Sequence, residues 1–177
     1  MKEFVFRVLI DTVDDTDVFR DISIRSTDTF ELLHRAIINA FSFEGGQMAS
    51  FYMSDEEWNK GDEIGLLDMS GEDTGFQLME QTIIGDKVEE IGQKLIYVYD
   101  FLNMWCFYVE LNKINEVSSE KLYPNLELSF GKAPQESSKS IMDDIDFPTI
   151  DEDDYGIEDE FDEWESHQFE NIDDLDI

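Results

Sequence analysis

Between Lys94 and Leu111 the side chains alternate with period two on both sides of a short break, and that pattern fixes a sheet at the centre of the fold. Leu95, Tyr97, Tyr99 and Phe101 point one way, Ile96 and Val98 the other. A strand apolar on both faces belongs in the interior of a sheet. Leu102-Asn103 can make the turn, after which Trp105, Phe107, Val109 and Leu111 form the inward face of a return strand. The chain opens in the same way. Phe4, Phe6, Val8 and Ile10 share one face, a polar loop covers residues 11–17, and Val18, Ile22 and Ile24 mark a second strand. Two strands and a short polar connection predict an N-terminal hairpin.

The period then changes. Phe30, Leu33, Ile37, Ala40 and Phe41 fall on one helical stripe, with Glu31, Arg35 and Asn39 facing away. Asp28 with Glu31 three residues later suits an N-cap and its capping-box partner, and Gly45-Gly46 stops the pattern. Residues 47–53 predict another strand. Residues 54–81 mix acids, glycines and scattered apolar residues, which predicts irregular structure with a short strand around 64–69. Residues 82–91 predict a short helix or a covering loop. Tyr123-Pro124 and residues 126–130 predict an edge segment, followed by a linker over 131–140. The fold class is therefore α+β: an antiparallel or mixed sheet built from an N-terminal hairpin and a C-terminal aromatic hairpin, with one main helix packed on one face.

Charge divides the chain. The whole carries 44 acids against 12 bases, and residues 141–177 hold 17 of the acids with no Lys or Arg. Dense like charge interleaved with isolated apolar residues cannot collapse alone. The expected organisation is a body over 1–135 and an acidic, disordered tail over 136–177. The body is itself acidic, so it lacks the basic footprint that displaces counterions from nucleic acid or binds anionic membranes. Basic proteins are the favoured partners. Cys106 is the only cysteine, which fits a reducing compartment. Met1–Ile10 lacks the apolar run of a signal peptide, and no run approaches the roughly 20 residues that span a bilayer. The expectation is a cytoplasmic protein.

The run Thr29-Phe30-Glu31-Leu32-Leu33-His34-Arg35-Ala36-Ile37, continuing through Asn39-Ala40-Phe41, resembles the helix of the plasmid pRiA4b open-reading-frame-three-like family, whose members also carry insertion-sequence-passenger and resolvase-like labels. Tyr97-Val98-Tyr99-Asp100-Phe101 followed by Trp105 resembles a second segment of that family, and Tyr123-Pro124 a third. The resemblance covers roughly residues 3–135 and implies the same order of hairpin, helix, strand, variable loop and aromatic hairpin. Relatives usually carry Gly-Asp where Leu102-Asn103 stands, a His at Gln47 and a Trp at Phe43. The resemblance therefore points to a divergent, acidic-tailed branch. It implies a mobile-element association and no established activity.

Catalytic chemistry finds little support. Nucleophilic catalysis needs a nucleophile beside an oriented base. The histidines are His34, mid-helix, and His167, in the tail; Cys106 falls on a strand facing away from Trp105, and buried packing is its expected role. One Cys and two His cannot make a usual zinc site. Asp151, Asp153, Gly156, Asp159 and Asp162 match positions of a calcium loop, but Tyr155 replaces a ligand and no apolar helices flank it, so only loose cation association is expected at 151–162. The expectations are no catalytic residue, no metal and no cofactor. Tyr99, Asp100, Phe101 and Trp105 form a candidate surface site, with Asp100 weighed between a turn cap and a functional carboxylate. Tyr155, Phe161, Trp164 and Phe169 are candidate partner anchors. The function expected is a non-enzymatic protein-interaction module with an acidic partner-binding tail. The alternatives are a nucleic-acid mimic that inhibits a DNA-binding protein and an enzyme using a carboxylate near Asp100.

Overall fold

Eight strands form one sheet in the order β5-β4-β3-β6-β7-β1-β2-β8. The computed structural model describes residues 1–72 and 75–139. In chain order the elements are β1 (Lys2–Ile10), β2 (Phe19–Arg25), helix α1 (Phe30–Ala40), β3 (Ala49–Ser54), β4 (Lys60–Gly65), β5 (Gln77–Leu78), β6 (Lys94–Tyr99), β7 (Trp105–Glu116) and β8 (Asn125–Phe130), with single 3-10 turns at Ile84–Asp86 and Glu136–Ser138. All neighbouring pairs are antiparallel except β4 with β5. The α+β class and the helix packed on one face are as the sequence predicts. The two hairpins interlock, because β1 pairs with β7 as well as with β2.

The core lies between α1 and the sheet. Phe30, Leu33, Ile37 and Phe41 meet Phe4, Phe6, Val8, Phe51, Tyr97 and Phe107, all essentially solvent-free. Rings interlock at tilted or edge-on angles: Phe41 lies 5.0 Å from Phe107, and Phe51 4.7 Å from Tyr97, within the range that aromatic pairs favour. Strand β6 is interior and buried on both faces, as its two apolar sets require.

Local details differ from expectation for identifiable reasons. The helix cap is Thr29, whose hydroxyl accepts from Leu32 N at 3.3 Å. Asp28 is taken by the preceding turn, where its carboxylate accepts from Arg25 N at 3.0 Å. Without Asp28 at the cap there is no capping box, and Glu31 instead pairs with Arg35 one turn on. The first helical N–H groups are satisfied by the covering segment: Phe30 N donates to Thr82 O and Glu31 N to Met79 O. That segment returns Gly85 N to Ser26 O at 2.8 Å, so close that a Cβ on Gly85 would clash with the same oxygen. The helix stops before Gly45-Gly46, because Ser42 turns left-handed at φ 58°. The strand expected around 64–69 forms earlier, as β4 over Lys60–Gly65, and overlaps it only at Ile64 and Gly65.

At the helix C-terminus, Arg20 projects from the core-facing side of β2 between Val18 and Ile22 and is 6% exposed. Its Nε donates to Ala40 O at 3.1 Å, and Nη1 donates to Phe19 O at 2.8 Å and Phe130 O at 2.9 Å. The guanidinium stacks over Phe41 at 5.0 Å. One side chain thus satisfies a helix-end carbonyl and ties β2, β8 and α1 together.

Candidate functional site

The residues that the sequence singles out as a surface site meet at one end of the sheet, where β6 turns into β7. Asp100 leaves β6 in the left-handed region at φ 59°. Its Oδ1 accepts from Leu102 N at 3.1 Å and Asn103 N at 3.3 Å, and its Oδ2 from Asn103 Nδ2 at 2.8 Å. Both oxygens are engaged, so Asp100 is the turn cap and offers no free carboxylate. The left-handed step also breaks the pleat: Phe101 does not share the face of Tyr99 and is 38% exposed.

Tyr99 and Trp105 are buried, and the segment following β8 seals them. Glu136 is the fastener. Its Oε1 accepts from the Tyr99 hydroxyl at 2.7 Å, its Oε2 from Glu44 N at 2.6 Å, and its main-chain oxygen from Trp105 Nε1 at 3.3 Å. Lys139 then donates to Met104 O at 2.6 Å and sits 5.4 Å from the Trp105 ring centre. Phe43 fills the remaining space, 5.2 Å from Trp105 and 5.7 Å from Tyr99. Burial first, and then the Glu136 carboxylate, push the Tyr99 hydroxyl well above the ordinary tyrosine range, so it stays a hydrogen-bond donor. Tyr99, Asp100 and Trp105 are therefore a closed structural plug rather than a surface site. The span expected as a linker, 131–140, docks through Lys139.

Beside the plug lies an open cleft of about 620 Å³ between the β1–β2 loop and this strap, lined by Asp11, Thr12, Asp14, Lys132, Lys139 and Trp105 among others. It has the size of a ligand site, and its lining carries both signs of charge but neither His nor Cys. Cys106 and His34 are not brought together: Cys106 lies on the sheet face away from the helix, while His34 is part of α1 and reaches Tyr97 on the inner face of the sheet. Burial, and then the Asp11 charge, push the Cys106 thiol up, away from the reactive thiolate. Among the described residues no three His, Cys, Asp or Glu side chains gather as a metal site. No helix there is long and apolar enough to cross a membrane. The candidate anchors Tyr155, Phe161, Trp164 and Phe169, with His167 and the 151–162 loop, lie outside the described residues.

His34 has a structural partner that the sequence did not reveal. Its Nδ1 lies 2.6 Å from the Tyr97 hydroxyl, both groups buried. Burial raises the Tyr97 pKa well above the usual value, and this hydroxyl has no second partner among the described residues, so it donates to Nδ1 and leaves the ring proton on Nε2. Burial lowers the His34 pKa from 6.5 to about 4. The unfolded chain therefore binds this proton first, and the contribution of a neutral His34 to stability, full above about pH 6.5, is lost as pH falls towards 4. His34→Gln should flatten the acid limb of a urea-midpoint against pH series by up to about 1.4 kcal/mol per pH unit; parallel limbs for the two proteins would show that His34 takes up its proton alike in the folded and unfolded chains.

The family model of the plasmid pRiA4b ORF-3-like protein matches residues 2–176. The chain belongs to that family. The match extends well beyond residue 135, into the acidic segment. A solved structure of the same fold is the protein of unknown function MM3350 from Methanosarcina mazei Go1, 23% identical, with a TM-score of 0.65 over 80% of this chain and 76% of that one. At that identity the likeness is one of fold. No curated protein matches the chain.

Proposed function

We propose that this pRiA4b ORF-3-like chain is a non-enzymatic, cytoplasmic protein-interaction module, associated with mobile elements as its family labels suggest, whose acidic C-terminal segment captures a basic partner. The observation that carries this reading is the charge split: 17 acids and no Lys or Arg in residues 141–177, interleaved with aromatic side chains. Long-range attraction would make encounter fast and salt-sensitive, and aromatics would supply the contact energy. The engagement of both Asp100 oxygens weighs against the alternative in which that carboxylate does chemistry. A DNA-binding protein as the captured partner would make the chain a nucleic-acid mimic.

The test compares the full chain with a full-length variant carrying Tyr155→Ala, Phe161→Ala, Trp164→Ala and Phe169→Ala, which keeps every charge. The wild type should retain a defined basic protein at low salt and release it at high salt, and the variant should bind it at least roughly tenfold more weakly. Equal binding by the two chains, or a partner held independently of salt, would contradict the proposal.

A further inference from the structure

The cleft beside the plug has two walls, and each is built by its own bonds. One wall is the β1–β2 loop. Ile10 N donates to Val18 O at 3.1 Å, Asp11 N to Cys106 O at 2.9 Å and Thr12 Oγ1 to Thr16 O at 3.0 Å. The other wall is the strap after β8, fastened through Glu136 and Lys139. The walls meet where the strap leaves the sheet. Gly131 turns left-handed there at φ 76°, so close to the loop that a Cβ would lie 2.7 Å from Asp17 O. The space of about 620 Å³ is therefore framed by ordered backbone, and pre-formed clefts of this size suit small ligands.

The charges in the cleft are divided by segment and left unmatched. The acids Asp11 and Asp14 belong to the loop, and the bases Lys132 and Lys139 to the strap. These four do not pair with one another, and Lys139 donates to Met104 O instead. Elsewhere on the body, neighbouring acids and bases do close up: Arg7 on Asp21, Lys94 on Glu56, and Lys121 on Glu3 and Glu127. Val13, Val18, Ala133, Pro134 and Trp105 add apolar surface to the same lining. These features select a ligand. A net charge of −32 disfavours an anion at long range. A simple cation is drawn to acids all over the surface and leaves both lysines unmatched. A molecule with one charged end of each sign satisfies both walls, and an apolar stem between its ends covers the apolar lining.

We infer that this cleft binds a small linear zwitterion, its ammonium towards Asp11 and Asp14 and its carboxylate towards Lys132 and Lys139. An ω-amino acid, free lysine and a lysine at the C-terminus of a peptide share this chemistry. The inference does not rest on capture of a basic partner by the acidic segment.

The test is an NMR titration of the isotope-labelled full chain with 6-aminohexanoate. Amides of residues 11–18 and 131–139 should shift and saturate with a Kd of about 1 mM, in keeping with so small a ligand. Hexanoate and hexylamine each keep one charge and should bind at least roughly tenfold more weakly. Asp11→Asn combined with Asp14→Asn should weaken 6-aminohexanoate at least roughly tenfold and leave hexanoate no weaker. Lys132→Gln should weaken 6-aminohexanoate and leave hexylamine no weaker. That crossed pattern belongs to charge recognition and not to a general loss of structure. A second arm uses L-lysine and N-acetyl-glycyl-L-lysine: binding of either at these residues supports the site, and the tighter of the two gives the source as free amino acid or chain end. No saturable shift up to about 50 mM, equal binding of the one-charge analogues, or unchanged affinity in the variants would each overturn the inference.

Discussion

Replacing Leu33 or Ile37 by Ala should destabilise the fold by about 2–5 kcal/mol each. Both side chains are fully buried in the α1–sheet interface. The helix crosses strands whose own partners sit on both sides, so the surroundings cannot collapse into the space left behind, and the cost of the cavity adds to the lost transfer energy. A shift in urea midpoint with an unchanged slope would report that loss as stability alone. Leu32 lies only at the margin of the core, and Leu32→Ala should cost clearly less.

Arg20→Ala should cost about 2–4 kcal/mol, comparable to a core truncation although the residue is an arginine. Three carbonyl oxygens, on Ala40, Phe19 and Phe130, lose their charged donor at once, and Phe41 loses the plane stacked upon it. Arg20→Lys should recover little of this, because a single ammonium cannot reproduce a planar fork that serves α1, β2 and β8 together. Recovery of wild-type stability by lysine would mean that charge alone matters at this position.

The alternation at β6 and β7 was legible because both faces of β6 are buried and the inward face of β7 is aromatic, so burial wrote the period directly into the sequence. Helix α1 was legible for the same reason. By contrast, β4 reads Lys60-Gly61-Asp62-Glu63 before it reaches Ile64; near the sheet edge only its last residues are buried, so no period marks it. Arg20 stood in plain view as a charge at a core-parity position between Val18 and Ile22, a mismatch that signals a buried, fully bonded cation. Glu136 gave no local signal. Its role depends on Tyr99, Glu44 and Trp105, which are distant in sequence, and such a tertiary contact leaves no period behind. Composition alone made 131–140 look like a linker. Of the two readings weighed for Asp100, the turn cap is the one its bonds match, because a short acceptor at a hairpin end has the following N–H groups within reach.

A single hydrogen tests whether the strap that Glu136 fastens closes over Tyr99 and Trp105. Hydrogen exchange of the Trp105 indole N–H, followed by NMR in the full chain, reads it directly. Exchange at least roughly a hundredfold slower than for an exposed indole is the predicted result, since the proton is released only when the strap opens. Exchange at the free-indole rate would contradict it.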